Sequence, residues 1–247
     1  MPTFENIKAK YNTLKFNSIA SILESLVKQA EENEISYLQF ADLLVSEELK
    51  NRETKRKKYN MKKSHFPSMK HLEEYDFNCQ TTISKRQINS LLDFSFIDNR
   101  ENLVFIGPPG VGKTHLSIGI GIKAIEAGYK VLFVSALELI EELDLAELRG
   151  ELKNKVHSLL KNDLIIIDEL GYLPFNKKSM FNFFQFINSC YEYKSLILTT
   201  NKDFTQWSDF FMDENVAVPT VDRIIHHSHI FMMGGDSYRL KQKLEER

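Results

Sequence analysis

An α/β fold with a parallel β-sheet covered on both faces is the architecture that this 247-residue sequence predicts, and three observations predict it. Short runs that are apolar throughout, NLVFI, VLFVS, LIIID and SLILTT, recur from residue 102 onward, and strands buried on both faces read in this way. Helical segments separate them, an alternation that implies parallel strands with crossover helices. The first run passes directly into GPPGVGKT, residues 107–114, a glycine-rich loop of the kind that links a strand to a helix around phosphate.

Taken in order, the first 50 residues show helical spacing instead of strands. Ile19, Ile22, Leu23, Leu26 and Val27 recur at three- and four-residue steps, and Ile35, Leu38, Ala41 and Val45 continue after the polar break EENE. Ser36 with Gln39 forms a capping-box pattern for the second of these helices. From Lys50 to Lys63 there are eight Lys and Arg residues against one Glu. An irregular stretch with Pro67 follows. The expected division is a helical N-terminal domain over 1–70 and an α/β domain over 71–247. In the latter, strands are expected at 102–106, 131–135, 164–168, 195–200 and 230–233. Helices are expected at 113–127, stopped by Gly128, at the acidic segment 138–151 and at the aromatic-rich segment 178–191.

Composition bounds the function. At 43% hydrophobic and 27% charged residues the chain has the makings of a buried core. The formal net charge of −2 gives no whole-chain argument for nucleic acid, so that argument rests on local charge. Cys79 and Cys190 are distant in sequence and suggest a reducing compartment without a disulfide framework, each read as a half-buried or exposed thiol without chemistry. The N-terminus lacks a signal-peptide core and no apolar run is long enough to span a bilayer, so a cytoplasmic protein without membrane contact is expected.

The loop carries the chemistry. Gly107, Pro108, Pro109, Gly110, Val111, Gly112, Lys113 and Thr114 match G-x-x-x-x-G-K-[ST] between a strand and a helix. Glycines let successive N–H groups turn toward phosphate oxygens, and the helix N-terminus adds its positive dipole. Lys113 is expected on the β- and γ-phosphates of ATP and the Thr114 hydroxyl on Mg²⁺, with His115 next to them. The third strand delivers Asp168 and Glu169 to the edge where ligands of parallel sheets bind. Asp168 suits the metal and Glu169 an attacking water. The fourth strand ends in Thr199-Thr200-Asn201, where Asn201, or failing it Thr200, can reach the γ-phosphate or the water. A cation beyond lysine is also wanted; Arg223 and Arg239 are candidates, either of which could be a surface arginine. His226, His227 and His229 do not have a persuasive metal-binding spacing. Arg52, Lys55, Arg56, Lys57, Lys58, Lys62 and Lys63 form a dense basic patch, readable as a duplex-backbone contact or as a solvated helical face.

With these residues assembled, the chain resembles the IstB family of insertion-sequence transposition helpers, and more distantly the DnaC-type helicase loaders. Both belong to the AAA+ class of P-loop ATPases. The resemblance runs through SYLQFADLLVSEELKNRETKRKK, HFPSMKHLEEYDF, the loop with its GKTHL continuation, LIIIDELGYLPF, LILTTNKDFTQW and DRIIHHSHIFMMGGDSYR. It implies a five-stranded parallel sheet of order 5-1-4-3-2 with a reduced lid. It makes Asp168 and Glu169 the Walker B pair, Asn201 the sensor, Arg223 a finger reaching a neighbouring subunit's ATP, and Arg239 a second sensor or neighbour contact. It further implies an ATPase active as a homo-oligomer on duplex DNA, bound non-specifically, with a cognate transposase as partner. A replicative helicase loader, or a DNA-binding polymer that uses ATP without hydrolysing it, would be the alternatives.

Overall fold

The computed structural model describes residues 3–77, 82–171, 176–207, 214–235 and 237–238. The chain divides into two compact units, Met1–Tyr59 and Asn60–Arg247.

In the first unit, α1 (Phe4–Thr13) is capped by the Thr3 hydroxyl and α2 (Asn17–Glu32) buries Ile19, Ala20, Leu23 and Leu26. Lys8 ties the two helices with a 2.5 Å ion pair to Glu24. The long α3 (Tyr37–Lys63) opens on the expected capping box: Ser36 N–H donates to Gln39 Oε1 at 2.8 Å, and Gln39 N–H to Ser36 Oγ at 3.3 Å. The apolar spacing in its first half marks a helix but no buried stripe. Leu38 is 81% exposed, Val45 58% and Leu49 61%. The fully buried residues of α3, Glu48 and Asn60, are polar. Glu48 is buried and accepts from Arg52 Nε at 2.8 Å. The Arg52 guanidinium also donates to the Lys15 carbonyl at 3.2 Å and lies 5.1 Å above the Phe16 ring.

The second unit is built on a five-stranded parallel sheet: β1 (Asn102–Ile106), β2 (Val131–Ser135), β3 (Leu164–Leu170), β4 (Ser195–Thr200) and β5 (Ser228–Met232). Their order is β2-β3-β4-β1-β5, the expected 5-1-4-3-2 read from the other edge. The apolar runs are continuous because alternate residues of each central strand feed different cores. Val104, Ile106, Ile165, Ile167, Leu196 and Leu198 face α7 (Ala136–Leu148), α8 (Leu152–Leu159), α9 (Lys177–Cys190) and α10 (Glu214–Ile225). Leu103, Phe105, Leu164, Ile166 and Ile197 face α6 (Lys113–Ala127), with the short α4 (Lys85–Ser90) and α5 (Ser95–Asp98) completing that side. Met61 and Phe66 pack against this second core and Phe133 N–H donates to the Ser64 carbonyl at 2.7 Å, so the chain from Asn60 onward belongs with the sheet.

Several boundaries differ from expectation for local reasons. The helix expected over 138–151 runs Ala136–Leu148, and a second helix, not expected, follows over Leu152–Leu159. Ser135 caps α7 in a capping box with Glu138, and Gly150, at φ +71°, separates α7 from α8. β3 runs two residues past Asp168 and β5 starts at Ser228, half-exposed at the sheet edge where the apolar signal is weak. Cys190 is buried in the first core, not half-exposed, and burial pushes its thiol pKa well above the usual range; Cys79 lies outside the described residues. No helix among the described residues is long and apolar enough to cross a membrane.

Asn102 locks the lower edge of the sheet. Its buried amide donates to the Ile224 carbonyl and accepts from Leu196 N–H, both at 2.9 Å. Asn102→Ala strands both groups, each costing about 1–3 kcal/mol. Urea unfolding of the variant is expected to show a loss of roughly 2 kcal/mol or more.

Candidate functional site: a glycine loop and a carboxylate edge

β1 ends at Ile106, and Gly107 N–H is anchored on the Thr200 carbonyl of β4 at 3.1 Å. The loop then turns through Gly110 and Gly112, at φ +89° and +93°, left-handed conformations that favour glycine. Gly112 opens α6 with no side chain to cap it, which leaves the first-turn N–H groups turned to the position where an anion is stabilised. Lys113 Nζ donates to the Gly107 and Pro108 carbonyls at 2.7 and 2.8 Å, folding its ammonium over the loop.

The same glycines are also required by what surrounds the loop. A Cβ on Gly107 would lie 2.2 Å from the Met233 carbonyl oxygen, on Gly110 2.2 Å from Ser237 Oγ, and on Gly112 2.5 Å from the Tyr75 ring. Tyr238 N–H donates to the Gly110 carbonyl and the Tyr75 hydroxyl to the Val111 carbonyl, both at 3.1 Å. His115 is turned to this side: its Nε2 lies 2.8 Å from the His71 carbonyl, and its ring meets Tyr75 edge-on at 5.4 Å. The segments before β1 and after β5 thus both press on the loop.

Across from it, the Thr114 hydroxyl lies 2.9 and 3.1 Å from the two oxygens of Asp168, whose side chain is buried at the end of β3. A second hydroxyl holds the same carboxylate: Thr199 Oγ1 donates to Asp168 Oδ1 at 2.5 Å and accepts from Glu169 N–H at 2.9 Å. The β3–β4 register slips here. Ile167 faces Leu198 but Leu170 faces Thr200, a bulge of one extra residue. Glu169 sits in it at φ +63°, with its side chain exposed. Asn201 follows β4 beside Gly107, and its buried Oδ1 has no hydrogen-bond partner among the described residues. Thr200 is taken up structurally, its hydroxyl accepting Lys202 N–H at 3.0 Å.

Thr114, Asp168, Glu169 and Asn201 therefore converge with the loop at one sheet edge. Arg223 does not. It lies near the end of α10, which leads into the start of β5, at the opposite edge from the loop. Its guanidinium donates to the Pro219 carbonyl at 2.9 Å and stands over the Phe184 and Tyr191 rings at 5.3 and 6.0 Å. Arg239 lies outside the described residues. Within the basic run, Arg52 is bound to Glu48, Lys55 to Ser18 Oγ at 3.4 Å and Lys57 to Glu53 at 2.7 Å. Arg56, Lys58, Lys62 and Lys63 are exposed on α3. His226 meets the Tyr191 hydroxyl and His229 meets Glu101, each at 2.9 Å. The reading from sequence missed Thr199, Tyr75 and the Ser237–Tyr238 contact. Paired threonines closing an apolar strand were the available signal for the first.

A parallel sheet of this order with a glycine loop after β1 and a carboxylate at the end of β3 defines a P-loop nucleotide-binding protein of the AAA+ type. Solved structures of that type share the fold. AMPPCP-bound DnaA from Aquifex aeolicus matches at TM-score 0.56 and 20% identity, over 74% of this chain and 56% of that one. A DnaI crystal structure matches at 0.56 and 20%, over 66% and 90%. The chain belongs to the IstB-like ATP binding protein family, whose model matches residues 9–246. Among its relatives, a Geobacillus stearothermophilus protein named for ATP binding and for insertion sequence IS5376 is 38% identical over 97% of this chain and 95% of its own. The corresponding IS21 protein of Pseudomonas aeruginosa is 37% identical over 93% and 87%.

Two glycine substitutions separate the loop's demands. Gly112→Ala meets both a left-handed φ and the Tyr75 ring, and is expected to destabilise the fold by more than the ~1–2 kcal/mol of the backbone alone and to weaken ATP binding at least about tenfold. Gly150→Ala, at φ +71° with open space around it, carries the backbone cost alone and should bind a fluorescent ATP analogue as the parent does.

Proposed function

We propose that this chain is a cytoplasmic ATPase that assists insertion-sequence transposition, hydrolysing ATP with Mg²⁺ as a homo-oligomer on duplex DNA and acting with a transposase. The observation that carries the reading is the pairing of a buried Asp168, bound to Thr114, with an exposed Glu169 next to it on a bulge. A protein that only holds nucleotide needs the first carboxylate and has no use for the second.

Each residue has a task in this reading. The loop N–H groups and Lys113 bind the phosphates. Thr114 and Asp168 are hard oxygen donors within 3.1 Å of each other, a set that suits Mg²⁺, and they would hold it; the ion, when bound, offsets phosphate charge and draws electron density from the γ-phosphoryl group. Glu169 accepts a proton from water as its oxygen bonds to the γ-phosphorus and the bond to ADP breaks, giving ADP and phosphate. Asn201, with an amide oxygen buried and unpaired beside the loop, orients that water or senses the γ-phosphate. Arg223 is half-exposed at the far edge, a position that suits service to a neighbour's ATP; there it would stabilise transition-state charge in trans. Arg239 is assigned a supporting contact of the same kind. The relatives' insertion-sequence names support the biological setting. The basic run supports DNA: Arg56, Lys58, Lys62 and Lys63, with Arg52, Lys55 and Lys57 contributing field, would meet backbone phosphates without reading bases.

Phosphate release in the presence of duplex DNA tests the reading. Glu169→Gln is expected to keep ATP and DNA binding and to lose turnover by about 100-fold or more, whereas unchanged turnover would remove Glu169 from its role. Mixing Lys113→Ala with Arg223→Ala subunits should restore activity that neither has alone, because the first supplies the arginine and the second an intact site. Failure to complement would end the shared-site model. Reversing Arg56, Lys58 and Lys62 to Glu should flatten the salt dependence of duplex binding by a slope of roughly 2–3.

A further inference from the structure

We propose that Thr199 is a positioning residue for ATP hydrolysis, a single hydroxyl that fixes the metal-holding carboxylate and the water-polarising glutamate relative to each other. This rests on the ATPase reading above and deepens it.

The geometry uses the hydroxyl as donor and as acceptor at once. A threonine has one O–H to give, and Thr199 gives it to Asp168 Oδ1 at 2.5 Å. Its oxygen accepts Glu169 N–H at 2.9 Å, so two adjacent residues of β3 are tied to one atom of β4. That N–H needs a partner because the bulge interrupts the β3–β4 pairing between Ile167 and Leu170. The bulge also sets Glu169 at φ +63°, a left-handed conformation that a non-glycine residue keeps only where surrounding structure enforces it. Bulges re-aim side chains, and here one carboxylate is buried while its neighbour is exposed.

Thr114 binds Asp168 too, but the two hydroxyls differ in setting. Thr114 belongs to the loop–helix junction and would itself be a metal ligand. Thr199 is 1% exposed within a central strand, between β1 and β3. It is therefore the fixed support of the pair: it orients the Asp168 carboxylate, which would hold the metal, and it fixes the Glu169 backbone beside it. The contact joins β4 to the two acidic residues and not to the glycine loop, so its loss should appear in turnover and metal affinity and not in nucleotide affinity.

The test replaces the hydroxyl while keeping the shape. Thr199→Val should bind a fluorescent ATP analogue without Mg²⁺ within about twofold of the parent, lose kcat by about 10- to 100-fold with little change in KM, and hold Mn²⁺ in the ADP complex roughly tenfold more weakly by electron paramagnetic resonance. Thr199→Ser, which keeps the hydroxyl, should restore both. If the valine variant does not fold, Thr199→Cys, with a weak S–H donor in similar volume, carries the same expectation. Turnover and Mn²⁺ affinity both at parental levels, a loss that serine does not rescue, or a loss matched in metal-free nucleotide affinity would each overturn the proposal. Should the parent itself not hydrolyse ATP, the ATPase reading falls, and the Mn²⁺ measurement still decides whether Thr199 orients Asp168.

Discussion

A sheet covered by helices on both faces has few places for polar groups, and in this molecule the constraint organises everything else. Side chains of the central strands point into one apolar core or the other. Only the strand ends can carry chemistry, and a carboxylate placed there is still largely removed from water. Asp168 is 7% exposed, and an isolated charge so situated would be expensive. It is made tolerable by hydroxyls from two directions, Thr114 from the loop and Thr199 from the neighbouring strand. Loop, strand and carboxylate are thereby set against each other.

The loop shows the same logic from outside. Its glycines are usually explained by the phosphate they admit. In this chain they are equally a record of crowding, since Met233, Ser237 and Tyr75 each occupy the space a side chain would need. Two hydrogen bonds to loop carbonyls, from Tyr238 and Tyr75, fix peptide orientation. A peptide whose carbonyl is held outward presents its N–H inward, so these outer contacts set the direction of the donors that line the anion site.

Much of this was legible in the sequence, and what was not had a definite physical reason. Strands at 102–106, 131–135 and 195–200 and the helix at 113–127 fall where they were expected, because double-sided burial leaves uninterrupted apolar runs and Gly128 stops α6 at φ +108°. β5 begins two residues before its apolar run because an edge strand is only half-buried. Leu38 and Val45 announced a helix correctly, yet periodicity says which side of a helix is apolar and not whether anything covers it. Asp168 and Glu169 were found as a pair from their place after an apolar run. The bulge that separates their orientations, and the Thr199 hydroxyl that sustains it, depend on register between strands thirty residues apart. No local pattern reports that register.

The contacts on the loop also say where this unit can be cut. The segments that brace GPPGVGKT come from before the first strand and after the last, at Tyr75 and at Ser237–Tyr238. A fragment trimmed to the recognisable motifs, from β1 through β5, would retain every residue of the sheet and lose both braces. The smallest piece that keeps the loop in its shape is therefore longer at each end than the motifs themselves. In this fold the ends of the ATP-binding unit are working parts of its centre.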